Sequence, residues 1–273
     1  MARLGSAELA SSYNHELRKR AVPFALSLSM TPAIDVERAM FRASYKGVTD
    51  FVTKWLWPGP AFWVTRLCAA MGISPNAVTA ASLVLVLVAM FLFGDGLFLT
   101  GLVAAWAMTF LDTVDGKLAR VTLTSSKWGN VFDHGIDLLH PPFWYWAWWF
   151  TLAQWASPEQ AELLTQAFWA IVGGYILGRL QEGLFIWRFG IEIHAWQPID
   201  SWFRLFTARR NPNLALLTVA ALVGVPAIGF MAVAGWTVLS LLFHFARIGQ
   251  AFLAKWSGHA VRSWLTEPSP ATS

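Results

Sequence analysis

Six stretches of about 20 mostly apolar residues run through the chain and leave it few possible folds. They are Asn76–Phe93, Leu97–Leu118, Val131–Leu152, Leu163–Phe185, Asn213–Ala234 and Trp236–Ala254. A stretch of this length can cross the hydrocarbon core of a bilayer as a helix. Extended or irregular backbone would leave polar groups unpaired in lipid, so each stretch is expected to be helical.

The composition supports a membrane protein and excludes other classes. Hydrophobic residues make up 56% of the 273 and charged residues 13%, and there are 17 Trp and 20 Phe against 4 Tyr. Such aromatic content suits lipid-facing helices and interfacial belts. The single cysteine, Cys68, excludes a disulfide-stapled fold. The net charge of +4 reflects membrane topology, as shown next, and no nucleic-acid partner is expected.

The positions of the basic residues predict the orientation. Nine of the 20 Lys and Arg precede the first apolar stretch, and none falls in the gaps after the first, third and fifth stretches. Basic residues collect on the cytoplasmic side of membrane proteins. We therefore predict six spans with both termini cytoplasmic, in a bacterial inner membrane, and an outward-facing turn near Gly235.

Residues 1–45 form a predicted cytoplasmic arm, residues 46–260 the membrane domain and residues 261–273 a cytoplasmic tail. Within Phe51–Met71, Trp and Phe alternate with Lys54 and Arg66, and Pro58, Gly59 and Pro60 interrupt the run. This composition favours a short helix in the headgroup layer. The predicted fold class is an all-α integral membrane protein with six transmembrane helices, a cytoplasmic N-terminal arm and an interfacial helix.

Four carboxylates lie at the inner ends of the second and third stretches. Asp112 and Asp115 are three residues apart and Asp133 and Asp137 four apart, so each pair shares one helix face. The short connection predicts that the two helices are antiparallel neighbours whose pairs share one pocket. Ionisable groups at this depth are costly and usually functional.

A divalent cation would relieve the repulsion among these acids. Two like charges about 5 Å apart repel by about 3 kcal/mol at an effective dielectric near 20. An all-oxygen ligand set favours Mg²⁺, Mn²⁺ or Ca²⁺ over zinc. Two such ions commonly assist displacement at phosphorus, so a phosphate-bearing substrate is expected. The alternative is a structural role in which the carboxylates pair with Lys117, Arg120 and Lys127.

The residues between the acids form a spaced signature. Its fixed positions are Asp112, Asp115, Gly116, Ala119, Arg120, Gly129, Asp133 and Asp137. This pattern resembles, without a departure, the signature of the CDP-alcohol phosphotransferase (CDP-alcohol phosphatidyltransferase) family. The resemblance implies transfer of a phospho-alcohol group from a CDP-linked donor to an acceptor hydroxyl, with release of CMP, in phospholipid synthesis.

The resemblance also implies roles for individual residues. Asp112, Asp115 and Asp133 correspond to ligands of two Mg²⁺ or Mn²⁺ ions, and Asp137 to a ligand that also acts as general base. Gly116 and Ala119 correspond to small positions near the cytidine diphosphate, and Arg120 to a phosphate contact. Ser126 is a candidate nucleotide contact, with Ser125 equally placed. Gly129 is expected to let the third helix start close to the second, and Asn76 to cap the first.

Basic residues later in the chain are candidates for an acceptor pocket. Arg209 and Arg210 precede the fifth stretch, and Arg247 lies within the sixth with no acid one helical turn away. A buried Arg needs an anionic partner. The sequence thus predicts that Arg247, with Arg209 or Arg210, holds the acceptor or the transferred phosphate. Arg179 is expected to pair with Glu182.

Two questions remain open from the sequence. A divalent-cation transporter or channel is the alternative function, since such proteins also bind metal through intramembrane carboxylates. It predicts acids spread across the bilayer depth, whereas these four lie near one face. Within the enzyme class, CDP-diacylglycerol with a polar acceptor and a CDP-alcohol such as CDP-inositol both fit as donor. Membrane lipids are expected neighbours, and the resemblance implies a homodimer.

Overall fold

The computed structural model describes residues 13–14, 17–20, 25–27 and 29–266. Much of the predicted arm, 1–45, and of the tail, 261–273, lies outside these residues. The described part of the arm contains two short antiparallel strands, β1 (Tyr13–Asn14) and β2 (Lys19–Arg20), paired Tyr13 to Arg20. The all-helical prediction therefore holds for the membrane domain but not for this hairpin.

The remaining elements are helices. In order they are α1 (Ala33–Ala43), a π-helical turn (Val52–Leu56), α2 (Pro58–Ala70), α3 (Pro75–Gly94), α4 (Phe98–Val121), α5 (Lys127–Trp155), α6 (Pro158–Phe189), a 3₁₀ turn (Ile193–Ala195), α7 (Pro198–Phe203), α8 (Arg210–Leu222) and α9 (Pro226–Trp256). Among the described residues, α3, α4, α6 and α9 are long and apolar enough to cross a membrane. The chain is thus a helical membrane protein.

The last two predicted spans have the wrong boundary. Gly235 lies inside α9, and the break falls at 223–225, before Pro226. Gly224 has φ of +77°, a left-handed conformation that glycine adopts at little cost. Pro226 then opens α9 as its first residue, a position where a missing N–H costs nothing. The fifth helix is therefore short, with 13 residues, and the sixth long, with 31.

Three smaller expectations also need correction. Pro58 begins α2 rather than interrupting a helix, and the break lies just before it. Ser74, not Asn76, caps α3, because its hydroxyl accepts a hydrogen bond from the Ala77 N–H at 3.2 Å. The third gap is also shorter than predicted, since α5 ends at Trp155 and α6 begins at Pro158.

Helix α3 is central to the packing around the acids. Helices α4 and α5 both pack along α3, whereas α4 and α5 make few close backbone contacts with each other. The expectation that they are directly packed neighbours is therefore wrong. Their side chains meet in a shared core that includes Phe93, Leu102, Trp144 and Trp148. Helices α6, α8 and α9 complete the bundle, with α9 packed on both others.

Small residues allow the closest approaches in the bundle. A Cβ on Gly174 would lie 2.4 Å from Thr237 Cγ2, so α6 needs glycine there to pack against α9. A Cβ on Gly229 would lie 2.3 Å from Ala220 Cβ, which fixes the tight pairing of α8 and α9. These contacts set the position of α8, and α8 begins at the site described next.

Candidate metal and substrate site

The four signature acids lie on two helix ends that face a common space. Asp112 and Asp115 occupy the last three turns of α4, and Asp133 and Asp137 lie in the second and third turns of α5. Helix α5 begins where the Ser126 hydroxyl accepts the Gly129 N–H at 2.9 Å, a standard N-cap. Because α3 holds the two helices apart, the acids meet across a gap rather than in a packed seam.

Three of the acids form a group suited to a cation. One carboxylate oxygen each from Asp112, Asp133 and Asp137 lie within 4.8 Å of one another. Their side chains are 17%, 30% and 40% exposed in that order. Asp137 is thus the most accessible of the three.

Asp115 lies beside this group rather than in it. Its Oδ2 accepts a hydrogen bond from Thr79 Oγ1 of α3 at 2.7 Å. Its Oδ1 is buried and has no hydrogen-bond partner among the described residues. A buried carboxylate oxygen without a partner is costly, and a metal ligand role would remove that cost. The carboxylate oxygens of Asp112, Asp133 and Asp137 could therefore hold a divalent ion, and the unpartnered oxygen belongs to Asp115, the fourth of the signature acids.

Arg210 supplies positive charge to the acids in this structure. It is the first residue of α8, and its guanidinium donates to both Asp112 Oδ2 and Asp137 Oδ1. The alternative in which the acids pair with Lys117 is not supported. Lys117 instead donates to the Ser44 carbonyl at 3.1 Å and lies 3.3 Å from the centre of the Tyr45 ring.

Two consecutive prolines shape α5 immediately after Asp137. Pro141 and Pro142 lie inside the helix and have no N–H to give to the carbonyls of Asp137 and Leu138. The Tyr175 hydroxyl of α6 approaches both carbonyl oxygens, at 3.3 and 2.9 Å. Tyr175 therefore ties the α5 backbone at Asp137 to α6.

Two signature glycines, Gly129 and Gly116, lie where a neighbouring side chain comes close to the helix backbone. A Cβ on Gly129 would lie 2.7 Å from Asn76 Oδ1, so the start of α5 packs against the start of α3. The sequence predicts that Gly129 approaches the second apolar stretch, which is α4. Its neighbour is instead Asn76 of α3, the first apolar stretch, so this prediction is wrong. A Cβ on Gly116 would lie 3.3 Å from the Arg120 guanidinium. Gly116 thus leaves room for the arginine of its own signature.

Two of the four acids, Asp112 and Asp137, open into one large cavity of about 540 Å³, whereas Asp115 and Asp133 are not among its lining residues. Asp112, Asp137, Arg120, Arg209 and Arg210 line it, whereas Gly116, Ala119 and Ser126 are not among its lining residues. Further polar groups come from the arm, the π-helical turn and the α6–α8 connection. The charged lining residues other than the signature residues, Arg209 and Arg210 are Arg18, Lys46, Asp50, Lys117, Arg179, Glu182, Glu192 and Arg204.

Glu182 organises one wall of the cavity. It pairs with Arg179 at 3.1 Å, as the spacing predicts, and also with Arg209 at 3.3 Å. His194 Nε2 lies 3.1 Å from the same carboxylate. Burial lowers the pKa of His194 to about 3, against the opposing effect of Glu182, so the imidazole is neutral.

Arg247 lies elsewhere, which corrects the predicted acceptor pocket. Its Nε and Nη2 donate to the two carboxylate oxygens of Asp200 at 2.6 and 2.9 Å, and its guanidinium lies 4.3 Å from the Trp196 ring centre. It is not among the residues that line the cavity. The anionic partner of Arg247 is therefore Asp200 of α7. The two residues are 47 positions apart, so helix spacing could not predict the pair.

Several cavity residues were not singled out from the sequence. Arg204, Tyr175 and Asp50 come from segments that only the fold brings together. One signal was available for Tyr175, since consecutive prolines predict two unsatisfied carbonyls that a neighbouring donor must satisfy.

The fold and site together define a helical membrane protein with a carboxylate centre facing a polar, basic cavity. Residues 72–204 match the family model for CDP-alcohol phosphatidyltransferase. This match, 133 of the 273 residues, contains the complete signature, so this part of the chain is similar to the CDP-alcohol phosphatidyltransferase family.

Two curated relatives resemble parts of the chain. Cholinephosphotransferase 1 of Gallus gallus is 32% identical over 134 residues, which cover 45% of this chain and 39% of that protein. Archaetidylinositol phosphate synthase of Pyrococcus horikoshii is 36% identical over 77 residues, which cover 28% of this chain and 40% of that protein. The matches thus span about two fifths of the length of each relative.

Proposed function

We propose that the protein transfers a phospho-alcohol group from a CDP-linked donor to an acceptor hydroxyl and releases CMP. The observation that carries the proposal is the group formed by Asp112, Asp133 and Asp137 within a complete family signature. Both relatives carry names of synthetic enzymes of this kind, a cholinephosphotransferase and an archaetidylinositol phosphate synthase.

Two Mg²⁺ or Mn²⁺ ions held by Asp112, Asp115, Asp133 and Asp137 are the cofactors we infer. When bound, they would neutralise phosphate charge during displacement at phosphorus. The fit rests on the mutual approach of three carboxylates and on the unpartnered oxygen of Asp115. The Arg210 guanidinium, which donates to both Asp112 and Asp137, supports the proposal that positive charge is favoured between them.

Asp137 is the proposed general base. Its carboxylate takes the proton of the acceptor hydroxyl, the acceptor oxygen bonds to the phosphorus of the transferred group, and the bond from that phosphorus to CMP breaks. Its 40% exposure at the cavity supports this role. Arg120 at the cavity wall would donate to donor phosphate. Gly116, Ala119 and Ser126 belong to the proposed nucleotide side, away from the lining of this cavity.

The acceptor is proposed to enter the cavity beside Arg209 and Arg210. Arg209 is paired with Glu182 and Arg210 with Asp112 and Asp137, so both present guanidinium groups at the wall. CDP-diacylglycerol and a CDP-alcohol both remain possible donors. No finding supports the cation transporter, and the acids at one end of α4 and α5 argue against it.

The cellular setting is part of the proposal. We place the protein in a bacterial inner membrane, with six spans, both termini and the active site cytoplasmic, and a homodimer as the assembly. The four apolar helices and the absence of Lys and Arg from the gaps assigned to the outside support this arrangement.

The direct test is CMP release by the purified protein in lipid nanodiscs. With CDP-diacylglycerol or CDP-inositol and a panel of hydroxyl acceptors, we expect release that needs Mg²⁺ or Mn²⁺ and stops in excess EDTA. Lys255→Gln is the control, because Lys255 is not among the residues that line the cavity, and this variant should release CMP at the native rate. Full turnover in EDTA would contradict the metal assignment, and no release with any pair would contradict the activity.

A further inference from the structure

Arg204 is a buried cation whose donors are not all used. It follows α7, and the residue is 8% exposed. Its Nε and Nη1 have no hydrogen-bond partner among the described residues, although Arg204 lines the large cavity. A desolvated guanidinium with unsatisfied donors is strongly unfavourable, so an acceptor group is expected at this point of the cavity.

The nearest acid does not meet this need. Asp50 lies close enough to Arg204 to influence its charge, but its oxygens are engaged by neutral donors. Oδ1 accepts from the Thr53 N–H and from Asn211 Nδ2, and Oδ2 accepts from Thr53 Oγ1, all at 3.0 Å. Asp50 therefore offsets part of the charge of Arg204 and leaves its unused donors available.

Further basic residues line the same cavity. Burial lowers the pKa of Arg204 to about 9, and the nearby charge of Arg209 adds to the effect. Lys46 also lines the cavity, and burial together with the charges of Arg18 and Arg120 lowers its pKa. Like charges held together in a partly dry cavity favour binding of an anion. A phosphate suits them best, because its oxygens can accept from several donors at once.

These basic groups belong to the same cavity as the carboxylates but not to the signature. Lys46 precedes the π-helical turn and Arg204 precedes α8, whereas Asp112 and Asp137 lie on α4 and α5. A molecule that reacts at Asp137 and reaches Arg204 therefore carries an anionic group apart from its reacting hydroxyl. We propose that Arg204, assisted by Lys46, binds a phosphate group of the acceptor, which is thus a phosphorylated polyol.

The role in the reaction rests on the proposed function, but the site can be tested by binding alone. Purified protein in phosphatidylcholine nanodiscs, with saturating Mg²⁺ and CMP to fill the donor side, would be titrated with inorganic phosphate in a calorimeter. We expect Arg204→Gln to raise the Kd for phosphate about tenfold or more, and Lys46→Gln about threefold. Arg262→Gln, at an exposed residue outside the cavity, is the matched control and should leave the Kd unchanged.

Four outcomes would overturn the proposal. The first three are no phosphate binding by the unaltered protein with or without CMP, a native Kd in Arg204→Gln, and phosphate binding that occurs only when CMP is left out, which would assign the site to the donor. A fourth arm adds phosphatidylglycerol to the nanodiscs. Competition between this lipid and phosphate would assign the site to a lipid headgroup and also overturn the proposal.

Two controls keep the result interpretable. If Arg204→Gln does not fold, Arg204→Lys and Lys46→Gln replace it, and each should weaken phosphate binding without changing the affinity for CMP. Absent CMP release alongside Arg204-dependent phosphate binding would contradict the transferase activity and leave the anion site standing. Active enzyme with Arg204-independent phosphate binding would contradict the anion site alone.

Discussion

Arg210 and a bound metal ion would each neutralise the negative charge of the same carboxylates, Asp112 and Asp137. In the metal-free protein, Arg210→Gln leaves Asp112 and Asp137 without their paired guanidinium. Breaking a buried ion pair is costly, so we expect the melting temperature to fall by about 5 °C in EDTA. In saturating Mg²⁺ the fall should be less than about 2 °C, because the ions replace the lost charge.

Arg209→Gln is the control for that melting experiment. Arg209 pairs with Glu182 rather than with the signature acids, so its removal should act equally with and without Mg²⁺. Differential scanning fluorimetry of both variants measures the comparison. An Arg210→Gln loss of equal size in EDTA and Mg²⁺ would show that Arg210 does not stand in for a cation.

Asp137 and Asp112 should differ in which step they affect. We expect Asp137→Asn to reduce CMP release by at least about a hundredfold while donor binding stays near native, since the amide cannot take the acceptor proton. Asp112→Asn should impair both, because Asp112 is the more buried of these two proposed metal ligands and should contribute more to holding the ions that bind the donor. Turnover assays and CDP-donor titrations measure the two effects. Native CMP release by Asp137→Asn would assign the base elsewhere.

At the residue scale, the sequence predicts which residues share a helix face better than it predicts contacts between separate elements. Fixed spacing on single helices sufficed to group the acids, because helix periodicity decides which residues share a face. Arg247 had no acid within a turn of α9, and its partner Asp200 lies on another element. Pairings between distant segments depend on the tertiary fold, and one sequence holds no direct record of them.

The double proline of α5 makes an element-scale prediction about Tyr175. We expect Tyr175→Phe to lower kcat about fivefold to tenfold and leave the donor KM unchanged, because the carbonyls at Asp137 and Leu138 lose their donor and Asp137 shifts. Steady-state CMP release measures both constants. Tyr175 acts here as a positioning residue, through the backbone that carries Asp137.

A double-mutant cycle separates this role from direct substrate contact, since Tyr175 also lines the cavity. Replacing Pro141 and Pro142 with Ala restores two N–H donors to α5. In that background, Tyr175→Phe should have little effect on kcat. An undiminished effect would mean that the hydroxyl acts on substrate instead.

Element boundaries near the end of the chain show why hydropathy alone misplaced a turn. The apolar composition is nearly continuous from Asn213 to Ala254, so a division into equal spans placed the turn at Gly235. The break lies instead at Gly224, which has a left-handed conformation, and Pro226 then begins α9. Backbone chemistry, rather than apolar length, was the more informative signal.

At the scale of the whole molecule, the separation of α4 from α5 creates the cavity. The short connection between them suggested direct packing, yet both helices pack on α3 and leave a gap that Arg210 enters from α8. The signature glycine at 129 bears on this arrangement, because it admits Asn76 of α3. Which two helices pack most closely depends on the whole bundle of α3, α4, α5, α6, α8 and α9. The length of one connection does not determine it.

Helix lengths and the corrected turn yield a final prediction about membrane topology. Helix α8 has 13 residues and is about 20 Å long, shorter than a hydrocarbon core of about 30 Å. It begins beside Asp112 and Asp137, already within the bundle, so its far end can still approach the outer surface. We therefore expect Val223 to be accessible from outside and Leu123, between α4 and α5, from the cytoplasm only.

Cysteine labelling in cells tests this orientation. With Cys68→Ala as background, Val223→Cys should react with an impermeant maleimide on intact cells, and Leu123→Cys only after permeabilisation. Both native side chains are well exposed, at 68% and 89%, so the difference in labelling reports the side of the membrane rather than burial. The reverse pattern would invert the topology and place the carboxylates outside, where cytoplasmic CDP-linked donors could not reach them.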